Sequence, residues 1–423
     1  MMHYLEENNE EGLLLLIDFE KAFDSIEWDF LKSALQSFNF GESICRWFDT
    51  LYNGSKSCVI NNGHLSSFFS LGKGCRQGDP LSPYLFILGV ELLAIKLKNN
   101  PHIKGVSFKR GEPIVSQYAD DTFLLIDGRE SSLKETLSCF RDFHGASGLK
   151  MNSSKTKVMW VGSKKYSNEI LCPEEQLDWS VSNFKYLGIE FSLDLTSMVN
   201  LNFKKKILEI SRLLKSWQHR KLSLQGKITV IKSLALPKLI HLLTSLPDIN
   251  QNFINELDKL FFGFIWDGKT EKIKRKTLIA DIPYGGLRMV HLPSFIIYLK
   301  MGWVRRVFLQ ENGDWQHLLN LTLKNIGGLR VFSLHKEKLL QVKNYIKNPF
   351  WRDVICALSF SKPILNPNDI KQCLSMDILN YVSVEDIPYY MRWENANIKC
   401  ICNIMDAESN NFLTFQDIKE MIN

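Results

Sequence analysis

The chain has 423 residues, 52 Lys and Arg against 46 Asp and Glu for a net charge of +6, and 45% hydrophobic residues. That is too long for one ordinary core and too apolar for a chain whose main character is disorder, so two or three packed domains are expected. No apolar run approaches the ~20 residues that cross a bilayer, Met1 to Glu11 lacks the basic and apolar regions of a secretory signal, and a soluble intracellular chain with no membrane partner is expected.

Nine cysteines scattered over the whole chain argue for reduced thiols rather than a disulfide framework. Cys400 and Cys402 form a C-x-C pair with no histidine after them, which speaks against zinc.

In chain order, Gly12 to Phe19 reads as a buried strand that carries Asp18 at its end. Asp24 and Glu27 stand at capping-box spacing before a helix with Ile26, Phe30, Leu31, Ala34, Leu35 and Phe38 on one side. Lys56 to Ile60 and Leu65 to Ser70 read as strands of a hairpin around Asn61-Asn62-Gly63. A glycine-rich loop, Gly72 to Pro80, then ends in Asp79 as helix cap and Pro80 at the first helical position. The helix beyond it repeats Leu81, Leu85, Leu88, Leu92 and Ile95, so it is expected to be largely buried. Ile114 to Ile126 forms two strands flanking Asp120-Asp121, followed by a helix over 132–146 and a strand near 157–161. These elements describe an α+β domain, a sheet with helices on one face.

From about residue 198 the pattern turns helical and basic, with Gly226 and Pro237 marking ends or bends and Pro283 to Gly286 a break. Residues 201–310 hold 20 Lys and Arg against 7 Asp and Glu, a local +13 that leaves −7 for the remainder. Such asymmetry points to a polyanion held through phosphate contacts, most plausibly nucleic acid. Trp266, Trp303 and Trp315 have the surroundings of exposed aromatics. Residues 311–423 read as helical and carry no motif.

Three carboxylates stand out for chemistry. Asp18, Asp120 and Asp121 are flanked by apolar strand residues instead of turn formers, and acids that converge where buried strands emerge repel one another unless a cation neutralises them. Hard oxygen ligands suit Mg²⁺ or Mn²⁺, and two such ions about 3.5 to 4 Å apart catalyse nucleotidyl transfer. Asp24 and Asp79 are explained as helix caps.

At this point the motifs are similar to those of a known family. Leu16-Ile17-Asp18-Phe19-Glu20-Lys21-Ala22-Phe23-Asp24, Arg76-Gln77-Gly78-Asp79-Pro80-Leu81-Ser82-Pro83, Tyr118-Ala119-Asp120-Asp121, Gly148 to Asn152 through Lys155-Thr156, and Tyr186-Leu187-Gly188 resemble motifs A to E of the reverse transcriptases of non-LTR, LINE-type retrotransposons, and more distantly those of group II introns. The resemblance is sharp over 12–191 and softer through a thumb-like stretch to about 245 and the Trp266 to Trp303 region.

It implies a right-hand polymerase: a palm over 1–163 with motifs A to D, a motif E primer grip and basic helical thumb over 164–245, and a mainly helical region over 246–423. Asp18 and Asp120 would bind two Mg²⁺ or Mn²⁺ ions, with Asp121 supporting and the Phe19 carbonyl completing a coordination sphere. Phe23 would be the gate against a ribose 2′-hydroxyl. Arg76, Gln77 and Gly78 would border the nucleotide and template, Lys155 would protonate the leaving pyrophosphate, and Leu187 and Gly188 would grip the primer.

The implied partners are an RNA template, a DNA primer and deoxynucleoside triphosphates, in nucleus and cytoplasm. The family's fingers and endonuclease regions lie upstream of motif A, and this sequence has only 17 residues before Asp18. Two readings stay open: an active RNA-directed DNA polymerase, and a catalytically inactive retrotransposon remnant that binds RNA or DNA through its basic thumb. Phe23, the Tyr118 to Asp121 box and the basic thumb together disfavour an RNA-dependent RNA polymerase or a nucleotide cyclase.

Overall fold

The computed structural model describes all residues except 108–110, 180–182, 310–312, 362–374, 392, 394–396, 406–412, 414–420 and 422–423, and leaves the side chains of 196 and 389 undescribed. It divides the chain into two units, Met1–Leu193 and Asp194–Asn423.

In chain order the first unit runs α1 (Met2–Glu7), β1 (Glu11–Ile17), α2 (Ala22–Ser25), α3 (Trp28–Ser37), α4 (Glu42–Tyr52), the two-residue strands β2 to β5 (Lys56–Ser57, Ile60–Asn61, His64–Leu65, Phe69–Ser70), α5 (Ser82–Asn99), β6 (Ile114–Tyr118), β7 (Asp121–Ile126), α6 (Glu130–Ser147), β8 (Lys157–Gly162), β9 (Asn183–Tyr186) and β10 (Ile189–Ser192). The main sheet has the order β6-β7-β1-β8, and every pairing is antiparallel.

The leucine run of β1 makes it a central strand, buried on both sides, and side-chain alternation sorts its residues. Leu13, Leu15 and Ile17, with Leu124, Ile126, Val158 and Trp160, join the core that includes Leu85, Phe86, Val90, Leu93 and Leu97 of α5 and Leu133, Leu137 and Phe140 of α6. Each such side chain removed from water contributes roughly 1.5–3 kcal/mol. Leu14, Leu16 and Asp18 fall on the opposite face. Helix α5 buries Leu85, Phe86, Val90, Leu93, Ala94 and Leu97, while Ile95 of the expected stripe is 38% exposed. An almost wholly apolar helix has no dominant stripe, so its packing partners choose the face.

Several local expectations are corrected. Asp24 sits inside the four-residue α2, and α3 begins only at Trp28. Asp79 holds a turn, its Oδ1 accepting from the Leu81 N–H at 3.0 Å, and α5 starts at Ser82 with Pro83 in its first turn. The expected hairpin strands are split into β2–β5 and β3–β4 pairs. Two residues, Cys58 and Val59, face three, Ser66 to Phe68, between those pairs, which is a β-bulge. The turn itself is Asn62-Gly63, with φ of 49° and 81°, the left-handed pair of a type I′ hairpin.

The boundary expected at 163 is also displaced. Leu171 and Leu177 belong to the first unit's core, Trp160 Nε1 donates to the Glu169 carbonyl at 2.8 Å, and the Tyr186 ring stands 5.6 Å from Phe123. Residues 164–193 therefore complete the sheet domain.

The second unit is helical: α7 (Leu195–Gln218), α8 (Leu224–Val230), α9 (Pro237–Ser245), α10 (Gln251–Ile265), α11 (Arg275–Ile279), α12 (Leu292–Phe308), α13 (Asp314–Leu323), α14 (Lys336–Val342) and α15 (Pro349–Ser361). Gly226 does not end a helix; it lies in the first turn of α8 and donates to the Ser223 cap. Pro237 does mark a bend, of 46° between 224–235 and 237–245. No boundary falls near 245, because α10 packs on α7 and α8, and α12 on α9 and α15.

The tryptophans expected to be exposed are packed instead. Trp303 lies edge-on to Trp315, Phe350 and Trp351 at 5.6, 5.3 and 5.9 Å and donates to the Thr244 carbonyl at 2.8 Å, and Trp266 is half-buried. Two of the 20 basic residues of the window also lie inside: Lys227, paired with Asp267 at 2.7 Å, and Lys300, fully buried beside Asp248 at 3.5 Å. Lys204, Lys205, Arg212 and Lys215 are exposed on α7, spaced to share one broad face. Among the described residues no single helix is long and apolar enough to cross a membrane.

Candidate active site

The β1–β7 register ends at Ile17 opposite Thr122, and the β6–β7 register ends at Tyr118 opposite Asp121. One further step puts Asp18 opposite Asp121, on the sheet face that also carries Leu16 and Phe123. Asp120 occupies the two-residue turn between β6 and β7. Ala119 before it has φ of 54°, a left-handed backbone costing a non-glycine residue about 1 kcal/mol or more, and strain of this kind concentrates at functional turns.

The electrostatics follow from that placement. Partial burial pushes the Asp121 carboxyl above the ordinary carboxylate range, and the negative charges of Asp120 and then Asp18 push it the same way. A carboxyl made costlier to ionise by two neighbouring acids belongs to a donor set whose repulsion a hard divalent cation would relieve. Among the described residues no group of three or more His, Cys, Asp or Glu side chains is gathered closely enough to hold a metal ion. Phe19 turns its ring into the core, 6.1 Å from Phe140, so only its backbone is offered to such an ion.

Backbone bonds hold Asp18 from the other side. Its N–H donates to Thr156 Oγ1 at 3.3 Å, its carbonyl accepts from the Asn152 N–H at 2.8 Å, and the Glu20 N–H donates to the Lys150 carbonyl at 2.9 Å. The motif D segment is thus zipped onto motif A. Lys155 is exposed in the turn between Asn152 and Thr156.

The glycine-rich loop is zipped onto the residues after Phe23. The Cys75 N–H donates to the Phe23 carbonyl at 2.6 Å, the Gly74 N–H to the Ile26 carbonyl at 2.8 Å, and Trp28 Nε1 to the Gly74 carbonyl at 2.8 Å. A side chain at Gly74 would meet Asp24 backbone atoms at 2.9 to 3.1 Å. Phe23 is half-buried and stacks on Phe86 at 4.2 Å. Gln77 and Gly78 are exposed. Arg76 goes elsewhere: its guanidinium donates to the Leu51 carbonyl and to Ser55 Oγ and lies 5.4 Å from the Tyr52 ring centre, which ties the loop to the end of α4.

Leu187 and Gly188 form the β9–β10 turn, with φ of 47° and 81°. The preceding Tyr186 rests on Phe123, two residues from Asp121, so this turn is brought to the side of the acids. Asn152, Thr156 and Tyr186 are assigned no roles of their own by the sequence pattern. All three lie inside quoted motifs, but their bonds and ring contacts depend on which strands pair.

Residues 2–191 match the family model described as reverse transcriptase (RNA-dependent DNA polymerase). The chain is 28% identical over 321 residues to the transposon TX1 uncharacterized 149 kDa protein of Xenopus laevis, covering 74% of this chain and 24% of that protein. It is 26% identical to the Pol polyprotein of a type-1 retrotransposable element R2 of Popillia japonica, over 58% of this chain and 34% of that protein. It therefore spans about a quarter to a third of the length of these two relatives. The apo telomerase of Candida tropicalis aligns with a TM-score of 0.37 and 12% identity over 75% of this chain and 54% of that one, a score too low to carry weight. Residues 2–191 thus match the reverse transcriptase family, and the chain is similar to proteins of the transposon TX1 and of the retrotransposable element R2.

Proposed function

We propose that the chain is an RNA-directed DNA polymerase that extends a DNA primer on an RNA template. The observation that carries this reading is the sheet register, which sets Asp18 beside Asp121 and next to Asp120 at one hairpin end. In this reading Asp18, Asp120, the Phe19 carbonyl and, in support, Asp121 hold two Mg²⁺ or Mn²⁺ ions. A bound pair of such ions supplies the charge that activates a primer 3′-hydroxyl and stabilises departing pyrophosphate.

The chain's own residues do the rest. Phe23, braced by Phe86, presents an edge that a ribose 2′-hydroxyl would strike, favouring deoxynucleotides. Gln77 and Gly78 border the nucleotide and template from a loop that Arg76 anchors to α4. Lys155 delivers a proton to the leaving pyrophosphate. The Leu187-Gly188 turn bears on the primer strand, and the exposed basic face of α7 holds the sugar-phosphate backbone in a sequence-tolerant, salt-sensitive way. Positioning of this kind is much of what a polymerase contributes.

The test is primer extension by the full chain on an RNA template with a DNA primer, deoxynucleotides and Mg²⁺, beside Asp120→Asn. Mg²⁺-dependent extension that the substitution abolishes, with template–primer binding retained, is expected. Binding without any extension by the unaltered chain would overturn the reading in favour of a non-catalytic nucleic-acid-binding remnant.

A further inference from the structure

Asp18 stands one residue beyond the end of β1, where pairing with both neighbours stops. The last pairs are Ile17 with Thr122 on one side and Leu16 with Lys157 on the other. A carboxylate at such a place would rest on an unsupported peptide, facing two like charges that tend to push it away. Yet both backbone groups of Asp18 are engaged, and by a single turn: the N–H by Thr156 Oγ1 at 3.3 Å and the carbonyl by the Asn152 N–H at 2.8 Å.

That turn is itself closed. The Thr156 N–H reaches the Asn152 carbonyl at 2.9 Å, Asn152 Oδ1 accepts from the Lys155 N–H at 3.3 Å, and Ser154 Oγ donates to it at 3.0 Å. Thr156 is fully buried, and its carbonyl accepts from the Asp178 N–H at 3.0 Å. A hydroxyl fixed in a packed interior is a suitable fixed point for a neighbouring ligand, because its own rotation is limited by its surroundings.

We infer that Thr156 is a positioning residue for the metal site: its hydroxyl, acting with the Asn152 amide, clamps the Asp18 peptide so that the carboxylate stays beside Asp120 and Asp121 against their repulsion. The inference rests on the polymerase reading for its consequence in catalysis, though not for the clamp. Thr156 touches neither substrate nor ion. Its hydroxyl acts only through Asp18, so what matters is an acceptor at that point, which serine supplies and valine, of nearly the same shape, does not.

The probe is Mn²⁺ alone, bound to the full chain and followed by loss of the free-ion electron paramagnetic resonance signal, for the unaltered chain, Thr156→Val and Thr156→Ser. Thermal melts of the same samples report folding. Thr156→Val is expected to weaken Mn²⁺ binding on the order of tenfold, the usual scale for removing an outer-shell support, and Thr156→Ser to restore most of it. In primer extension the half-saturating Mg²⁺ concentration should rise for valine and return for serine, while template–primer binding stays constant.

Equal Mn²⁺ affinity in the unaltered chain and Thr156→Val overturns the inference. So does a serine variant as weak as valine while both melt like the unaltered chain, or an unaltered chain that binds no Mn²⁺. A chain that binds Mn²⁺ with the expected order of variants but adds no nucleotides leaves the clamp supported and removes the polymerase reading.

Discussion

Gly74→Ala is the most informative perturbation of the scaffold, because the structure separates two contributions to its cost. Gly74 has φ of 85° and Gly78 has φ of 84°, so alanine at either position carries the left-handed penalty of about 1 kcal/mol. The new methyl meets nothing within 4 Å at Gly78, whereas at Gly74 it lies 2.9 Å from the Asp24 carbonyl oxygen and 3.0 Å from its Cα. Backbone cannot rotate aside as a side chain does, so the loop must lift. Lifting stretches the bonds from Gly74 N–H to Ile26 and from Cys75 N–H to Phe23, each worth about 1 kcal/mol net.

The expected local cost is thus about 2–3 kcal/mol at Gly74 against about 1 kcal/mol at Gly78. Hydrogen exchange read by mass spectrometry over a peptide containing residues 73–76 measures this directly. Gly74→Ala should speed exchange of the Gly74 and Cys75 amides by about thirtyfold or more, the equivalent of 2 kcal/mol, and Gly78→Ala by a small fraction of that. Equal effects of the two substitutions, or no change at Gly74, would refute the zipper between loop and motif A. If the zipper is right, Gly74→Ala should also lower extension, since Phe23 and Gln77 sit at its two ends.

Phe23→Val is expected to raise incorporation of ribonucleotides relative to deoxynucleotides by at least about tenfold, a change of roughly 1.4 kcal/mol, with loss of the contact to Phe86. An unchanged ratio in competition assays would remove Phe23 from the gate. In the second unit, burial pushes the Asp353 carboxyl up to about 6, with smaller and mixed influences from Asp248, Lys300 and Arg352. Its folded value lies above the ordinary ~3.9, so its stabilising contribution is full below about pH 4 and is lost as pH rises through about 6. Melting of Asp353→Asn should accordingly fall less than that of the unaltered chain between pH 4 and 7, by a difference of about 1–2 kcal/mol after screening. Parallel pH profiles of the two would contradict that assignment.

The class of the fold and the acids of the candidate site were legible in the chain's own residues. Asp18, Asp120 and Asp121 announced themselves because acids rarely end or interrupt apolar strands, and the strands on either side carried their own period and turn signals. Such signals are local, so they survive without knowledge of the partner strand. Tertiary structure decided what depends on which surfaces meet. It chose the buried side of α5, whose apolar residues surround the helix. It also drew residues 164–193 into the sheet domain through Tyr186 on Phe123, and packed the half-buried Trp303 and Trp315 against the second unit's core. Arg76 was turned onto the end of α4, a contact that the resemblance, which implies a place for it beside the nucleotide, does not carry. Thr156, a residue with no pattern of its own, was closed onto Asp18 across 138 positions of chain. Contacts at that separation are written in the pairing of β1 with β8, and no window of sequence around either residue contains it.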